Sequence, residues 1–395
     1  MRCFVYVISI LSIATTSFGK LHVDYQWKYI DLLWESEQQK QEAIDTGRYN
    51  ASRYFLFDVD KAPDGRVFVT SVRIFDGIPV SIMTVTEKQG EGGLLLRPYP
   101  DWSWYKDDCK GIKDGSCQIQ IKCNHLFIVD DGKTGDNLLY YCPAQLLIFD
   151  LSTDKLVKRV EIPDHLISNK TGYGSLCSIE IIVPDCRNVK DNVIVLFGDL
   201  DSGGLVVYNA RSSKMCRIEN EFMKITNPYF VIENQSYYLS GGIYGMTIID
   251  KDFYYAKIEG NKIYKTELSK LTECEENDIN QANKQTQVRV LEGQTLSLTS
   301  DRCAIFFNDI TKTSIKCADV TNGTISKEKL VAYDPIQLQF PIGMKIRNGE
   351  LLIISNRYHL YISDSYNINE INFRILSIPI TDIEKDTNCF SSCNN

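Results

Sequence analysis

Gln118-Ile119-Gln120-Ile121-Lys122, then Cys123-Asn124, then His125-Leu126-Phe127-Ile128-Val129-Asp130 is the stretch whose reading decides the fold. The first five residues alternate polar and apolar, two turn-prone residues follow, and β-branched and aromatic side chains fill the last six. A half-buried strand, a tight turn and a more deeply buried strand make one β-hairpin. The same unit recurs on both sides. Upstream, residues 55–60 lead through Pro63-Asp64-Gly65 into 66–71. Downstream, 178–183 precede 192–199, and 245–250 precede 253–258 and then 262–266. Residues 295–299 precede 304–309, and 344–347 lead through Asn348-Gly349 into 351–356. The second-strand anchors Phe68, Phe127, Val195, Tyr254, Phe306 and Ile353 follow one another at intervals of 47 to 68 residues. About four strands per repeat at that period is what propeller blades require, and one blade cannot bury both of its own faces. The expected fold is all-β: a six-bladed β-propeller with four-stranded blades around a central ligand channel. A pair of β-sandwich domains is the competing architecture, and the repeat runs through the middle of the chain without a boundary. Residues 21–33 precede the first unit and can supply the strand that closes the ring. Helical periodicity is confined to 35–44, with a terminal turn at 383–386.

The first residues set the compartment. Met1-Arg2 is followed by an apolar run from Cys3 to Ile13, and then by Ser17 and Gly19 at small-residue positions before Lys20. This is the layout of a secretory signal peptide over residues 1–19, leaving 20–395 as a single propeller domain. Without Cys3, the 13 cysteines become an even 12, as expected of thiols that pair in an oxidising compartment. Cys303 with Cys317 and Cys389 with Cys393 are the expected local pairs. Cys123 and Cys142 could join neighbouring strands of one blade, and the remaining connectivity stays open. The sequons at Asn50, Asn169, Asn234 and Asn322 fit secretion. The net charge of −8 argues against nucleic-acid or anionic-membrane partners and mildly favours cationic ligands. No cofactor is expected, and the protein is expected to be a monomer.

Most motifs are decoys. Asp201-Ser202-Gly203-Gly204 has the look of a serine-protease nucleophile segment, but none of His22, His125, His165 or His359 lies in a matching context. It reads as a turn between two strands. No phosphate loop, nucleophile elbow or zinc motif is present. The acid pairs Asp58/Asp60, Asp107/Asp108 and Asp130/Asp131 read as turn acids before catalytic or Ca²⁺-binding ones. No catalytic residue and no metal site is therefore assigned. The informative pattern is positional: Asp130, Asp199, Asn308 and Asn356 all fall at the end of the second strand of their unit. In a ring such positions crowd one end of the channel, with Phe307 and Tyr358 beside them. A funnel of polar groups with aromatic walls is a binding-site candidate; strand capping is the alternative role.

The segments Cys123-Asn124-His125-Leu126-Phe127-Ile128-Val129-Asp130-Asp131-Gly132 and Cys142-Pro143-Ala144-Gln145-Leu146-Leu147-Ile148-Phe149-Asp150-Leu151 carry a resemblance. Together with Phe340-Pro341 and Ser355-Asn356-Arg357, they resemble the yellow/major royal jelly protein family of insects. Trp102-Ser103-Trp104-Tyr105 and Phe373-Arg374-Ile375-Leu376 look closest to the salivary yellow-related proteins of blood-feeding sand flies. That resemblance implies a six-bladed propeller secreted in saliva that binds serotonin, catecholamines and histamine in its channel, countering host haemostasis and inflammation. It implies a site with Asn356 and Tyr358 beside Pro341 and Ile342; Asp199 and Phe307 complete the candidate set on the strength of the repeat. Relatives that bind amines well carry Thr where Ile342 stands, which removes one hydroxyl from the site. Two other readings are a dopachrome-converting enzyme of the yellow kind and a secreted protein without a small-molecule site.

Overall fold

The computed structural model describes residues 21–394, apart from 74, 107, 116, 135–138, 141, 170–173, 227–228, 233, 239–240 and 259. The signal peptide expected at 1–19 lies outside the described residues. Each hairpin unit extends into one antiparallel four-stranded sheet, and six such sheets surround an axis. Blade 1 is Asp58–Lys61, Val67–Thr70, Ile82–Gln89 and Leu94–Pro98, and blade 2 is Ile119–Lys122, His125–Asp130, Gln145–Asp150 and Lys155–Glu161. Blade 3 is Leu176–Ile182, Ile194–Asp199, Gly204–Asn209 and Lys214–Ile218, and blade 4 is Ile243–Ile249, Asp252–Lys257, Lys262–Glu267 and Gln287–Val290. Blade 5 is Leu298–Asp301, Ala304–Asp309, Ser314–Thr321 and Lys329–Tyr333, with Thr324–Ile325 folded back on its third strand. Blade 6 takes Phe340–Arg347, Glu350–Asn356 and Phe373–Pro379 from the C-terminal part of the chain. Its fourth strand is His22–Trp27, paired from His22 on Ser377 to Trp27 on Phe373. The ring is closed by the N-terminal strand, as residues 21–33 had implied. The first strand of every blade lies at the axis.

The buried side chains explain why the units stack. They divide into six clusters, one for each pair of adjacent blades. Between blades 2 and 3, for example, Phe127, Val129, Leu146 and Ile148 meet Ile179, Ile181, Val195 and Phe197. Each blade therefore buries two apolar faces, and its strands read as near-continuous hydrophobic runs with only their ends polar. The turn at Cys123-Asn124 has both residues left-handed, with φ of 51° and 55°. Asn tolerates this conformation and Cys does not favour it; the bond from Cys123 to Cys186 of blade 3 holds it there.

All twelve cysteines of residues 20–395 are paired, but not as expected. Cys303 and Cys317 bond to Cys393 and Cys389 respectively, not to each other. Cys317 is in register with Phe306, three residues along from Cys303, so the two thiols are offset on adjacent strands and the C-terminal tail crosses both. Cys123 and Cys142 sit at opposite ends of blade 2 and cannot meet; Cys142 instead joins Cys109. The helix expected at 35–44 runs Glu37–Asp45 with Ser36 capping it, and the terminal turn is a longer helix, Ile380–Asp386. Asp201-Ser202-Gly203-Gly204 is the expected turn, joining the second and third strands of blade 3.

Candidate ligand cavity at the upper end of the channel

The upper end of the axis is where second strands end and first strands begin. Asp130, Asp199, Asn308 and Asn356 all lie there, buried, and each is occupied with backbone. Asp130 accepts from the N–H groups of Lys113 and Asp114 at 2.8 and 2.9 Å and from Gln145 Nε2 at 3.0 Å. Asp199 accepts from Ser175 N and Asp201 N, both at 3.0 Å, and pairs with Arg217 at 2.6 Å. Asn308 accepts from Leu296 N and Ser297 N and donates to Pro341 O at 2.8 Å. Asn356 donates to Leu56 O at 2.9 Å and accepts from Tyr358 N at 3.0 Å. The equivalence read from the repeat is therefore a shared structural role, in which a residue at the end of the second strand ties down the loop entering a first strand. Buried backbone donors need such partners.

Those ties leave a cavity of about 120 Å³ on the axis. Of the six candidate residues, Ile342 and Tyr358 line it. Asn356, Asp199 and Pro341 stand behind the lining, and Phe307 packs with Tyr254 and Ile305 between blades 4 and 5. Tyr358 meets Phe57, also in the lining, with ring centres 5.9 Å apart. Burial, then the neighbouring Tyr361, pushes its hydroxyl up to about 12, so it stays a neutral donor. Tyr244 forms the floor, its hydroxyl 3.5 Å from Phe57 O and hydrogen-bonded to Gln118.

The polar side of the cavity comes from the loops of blades 2 and 3: Asp114, Asp131, Lys133, Ser175 and Asp201. Asp114 and Asp131 hydrogen-bond to each other, which requires a proton between them. Burial and the adjacent Asp131 charge hold Asp114 well above the usual carboxylate range. Asp131 is also raised by burial, opposed by Lys133, and it accepts from Ser175 Oγ at 2.7 Å. Lys133 donates to Gly174 O and lies 3.5 Å from Asp201, whose carboxyl is raised by burial against the pull of Lys133. Three acidic side chains, Asp114, Asp131 and Asp201, thus share the cavity with Lys133 and aromatic walls, a set of groups that can meet a protonated amine. Among the described residues, no group of three or more His, Cys, Asp or Glu is arranged to hold a metal ion.

Most of this lining was not legible in the sequence. Asp131 was visible only as a turn acid beside Asp130, and Asp114 and Lys133 sit in Lys113-Asp114-Gly115 and Gly132-Lys133, ordinary turn sequences. No local signal marks them, because their neighbours on the axis come from other blades.

These features define a six-bladed propeller with a small cavity at one end of its axis. The family model "Major royal jelly protein" matches residues 116–389, and the chain belongs to that family. It is 31% identical to major royal jelly protein 8 of Apis mellifera, over 94% of each chain. It is 30% identical to major royal jelly protein 1 of the same species, over 95% of this chain and 91% of that one. A luciferin-regenerating enzyme of known structure aligns with a TM-score of 0.47 at 10% identity, over 85% of this chain and 93% of its own.

Proposed function

We propose that this is a secreted, non-catalytic salivary protein that sequesters biogenic amines in the upper cavity, acting as a monomer without nucleic-acid or membrane partners. The observation that carries the reading is the buried Asp114/Asp131 carboxyl pair sharing one small cavity with Phe57, Tyr244 and Tyr358. The ligand ammonium would meet Asp131, and its ring would lie against the aromatic wall. Six disulfides support an oxidising compartment, and the resemblance to amine-binding salivary relatives supports the ligand class. Calorimetric titration with serotonin, noradrenaline and histamine tests it. Asp131→Asn should weaken every amine at least about tenfold, since a hydrogen bond to a charged group contributes ~1.5–3 kcal/mol. Absence of heat for all three amines at high micromolar concentration would sink the reading.

One observation favours a second reading. A proton shared by Asp114 and Asp131 is a resident acid/base group, which dopachrome conversion needs. Dopachrome decay above the uncatalysed rate with the purified protein, lost in Asp114→Asn, would replace sequestration with catalysis.

A further inference from the structure

Below Tyr244 the axis opens again. A second cavity of about 410 Å³ occupies the lower end of the channel, lined by the first strands of blades 2 to 6. Its character is the opposite of the upper one. Lys345 of blade 6 pairs with the fully buried Asp58 of blade 1 at 2.9 Å. Arg347 pairs with the buried Asp60 at 2.7 Å and also donates to Ile121 O and Ile346 O. Lys345 has that one ion pair among the described residues, and an ammonium can serve two further acceptors.

Glu180 enters from blade 3. Its two oxygens each have Gln120 Nε2 at 3.4 Å, the long limit of a hydrogen bond. Its charge feels Lys122, Lys345 and Arg347, but among the described residues it forms no ion pair with them. Burial holds its carboxyl above the usual range against the pull of those cations. A half-buried carboxylate with only long contacts and an ammonium with two further donors thus face one polar chamber without forming an ion pair.

We propose that this lower chamber is a second small-ligand site, which takes a compact zwitterion of free amino-acid size, its ammonium on Glu180 and its carboxylate on Lys345. A simple cation fits less well. It would satisfy Glu180 alone and leave Lys345 with its single pair to Asp58, and a simple anion would do the reverse, whereas a zwitterion serves both groups; Asp250 also lines the chamber. Bridging supplies both groups with the partners that burial denies them. The site is independent of the amine reading, because Tyr244 and Gln118 stand between the two cavities.

The test uses the full secreted chain, with glycine, β-alanine and 4-aminobutyrate as zwitterions and with acetate and methylamine as single-charge controls. Thermal shift and calorimetry should detect one of the zwitterions, bound at least about tenfold more tightly than either control. Glu180→Gln keeps the size and the amide contact with Gln120, so the fold survives. It should reduce zwitterion affinity at least about tenfold while leaving amine titrations at the upper cavity unchanged. The proposal is overturned if no zwitterion binds up to ~10 mM, if the controls bind as well, or if Glu180→Gln changes nothing.

Discussion

The two ends of the channel are built on the same first strands, yet they solve the problem of charge near an axis in different ways. The lower chamber is lined by the strands themselves, and its polar groups follow their alternation, as Gln118, Gln120 and Lys122 do on one face of blade 2. Its charges pair across a blade boundary, Asp58 with Lys345 and Asp60 with Arg347, so they also clamp the first blade to the last. The upper cavity draws most of its polar side from loops, and two of its carboxyls, Asp114 and Asp131, crowd one another. Strand-borne charge is locked by register, and at Asp58 and Asp60 it serves the closure of the ring. Loop-borne charge is free of register, and its arrangement is set by the loops alone.

The sharpest way to break the contrast is to remove half of a lower-end pair. Lys345→Met strands Asp58 in a buried site and should destabilise the fold by about 3–5 kcal/mol in denaturant titrations. Adding Asp58→Asn should restore much of that loss; a single-variant cost below about 1 kcal/mol would mean that water solvates the lower end and the clamp is weak. Next in size is the bond between Cys117 and Cys177, which joins blades 2 and 3 in the wall of the upper cavity. Replacing both with Ala should cost about 2–4 kcal/mol and weaken amine binding as well, because it releases the loops that bring Asp114 and Asp131 together. Stability loss with unchanged amine affinity would show that the loops are held by Asp130 alone.

Acid pH tests both ends together. Burial pushes Asp58 up to about 6, against the pull of Lys345, and raises Asp114, Asp131 and Glu180 as well. Unfolded carboxyls titrate near ~4, so between there and about 6 the native state binds more protons than the unfolded one. Stability therefore falls as pH rises through that window, and the protein should be more stable at pH 5 than at pH 7.5 by roughly 1–3 kcal/mol. A maximum at or above pH 7.5 would mean that the ion pairs outweigh burial. The smallest effect is expected at Ile342, which lines the upper cavity yet is only 2% exposed and belongs to the adjoining core. Ile342→Thr should raise amine affinity up to about tenfold by adding a hydroxyl near the ammonium, at a cost of ~1–2 kcal/mol in stability. Unchanged affinity with that loss would assign Ile342 to the core alone.

What the sequence determined by itself is the hairpin unit, its six-fold recurrence and the spare N-terminal strand. All three follow from local rules: alternation with period two, turn chemistry at positions such as Cys123-Asn124, and apolar runs too long for one sheet to bury. It also placed Asn356, Asp199 and Asn308 at equivalent ends of strands with Tyr358 beside them, and the family resemblance added Ile342; these last two line the upper cavity. Whether a strand-end polar group faces a ligand or a backbone N–H was settled only by the loop lying over it, and that loop comes from a different stretch of chain. The same holds for the disulfides, where the tail carrying Cys389 and Cys393 crosses two strands of blade 5. Asp114 meets Asp131, and both face Tyr244 and Tyr358, only because the ring closes and points every blade's upper loops at one axis. Periodicity is a property of neighbours along the chain; convergence is a property of closure, and it belongs to the tertiary structure.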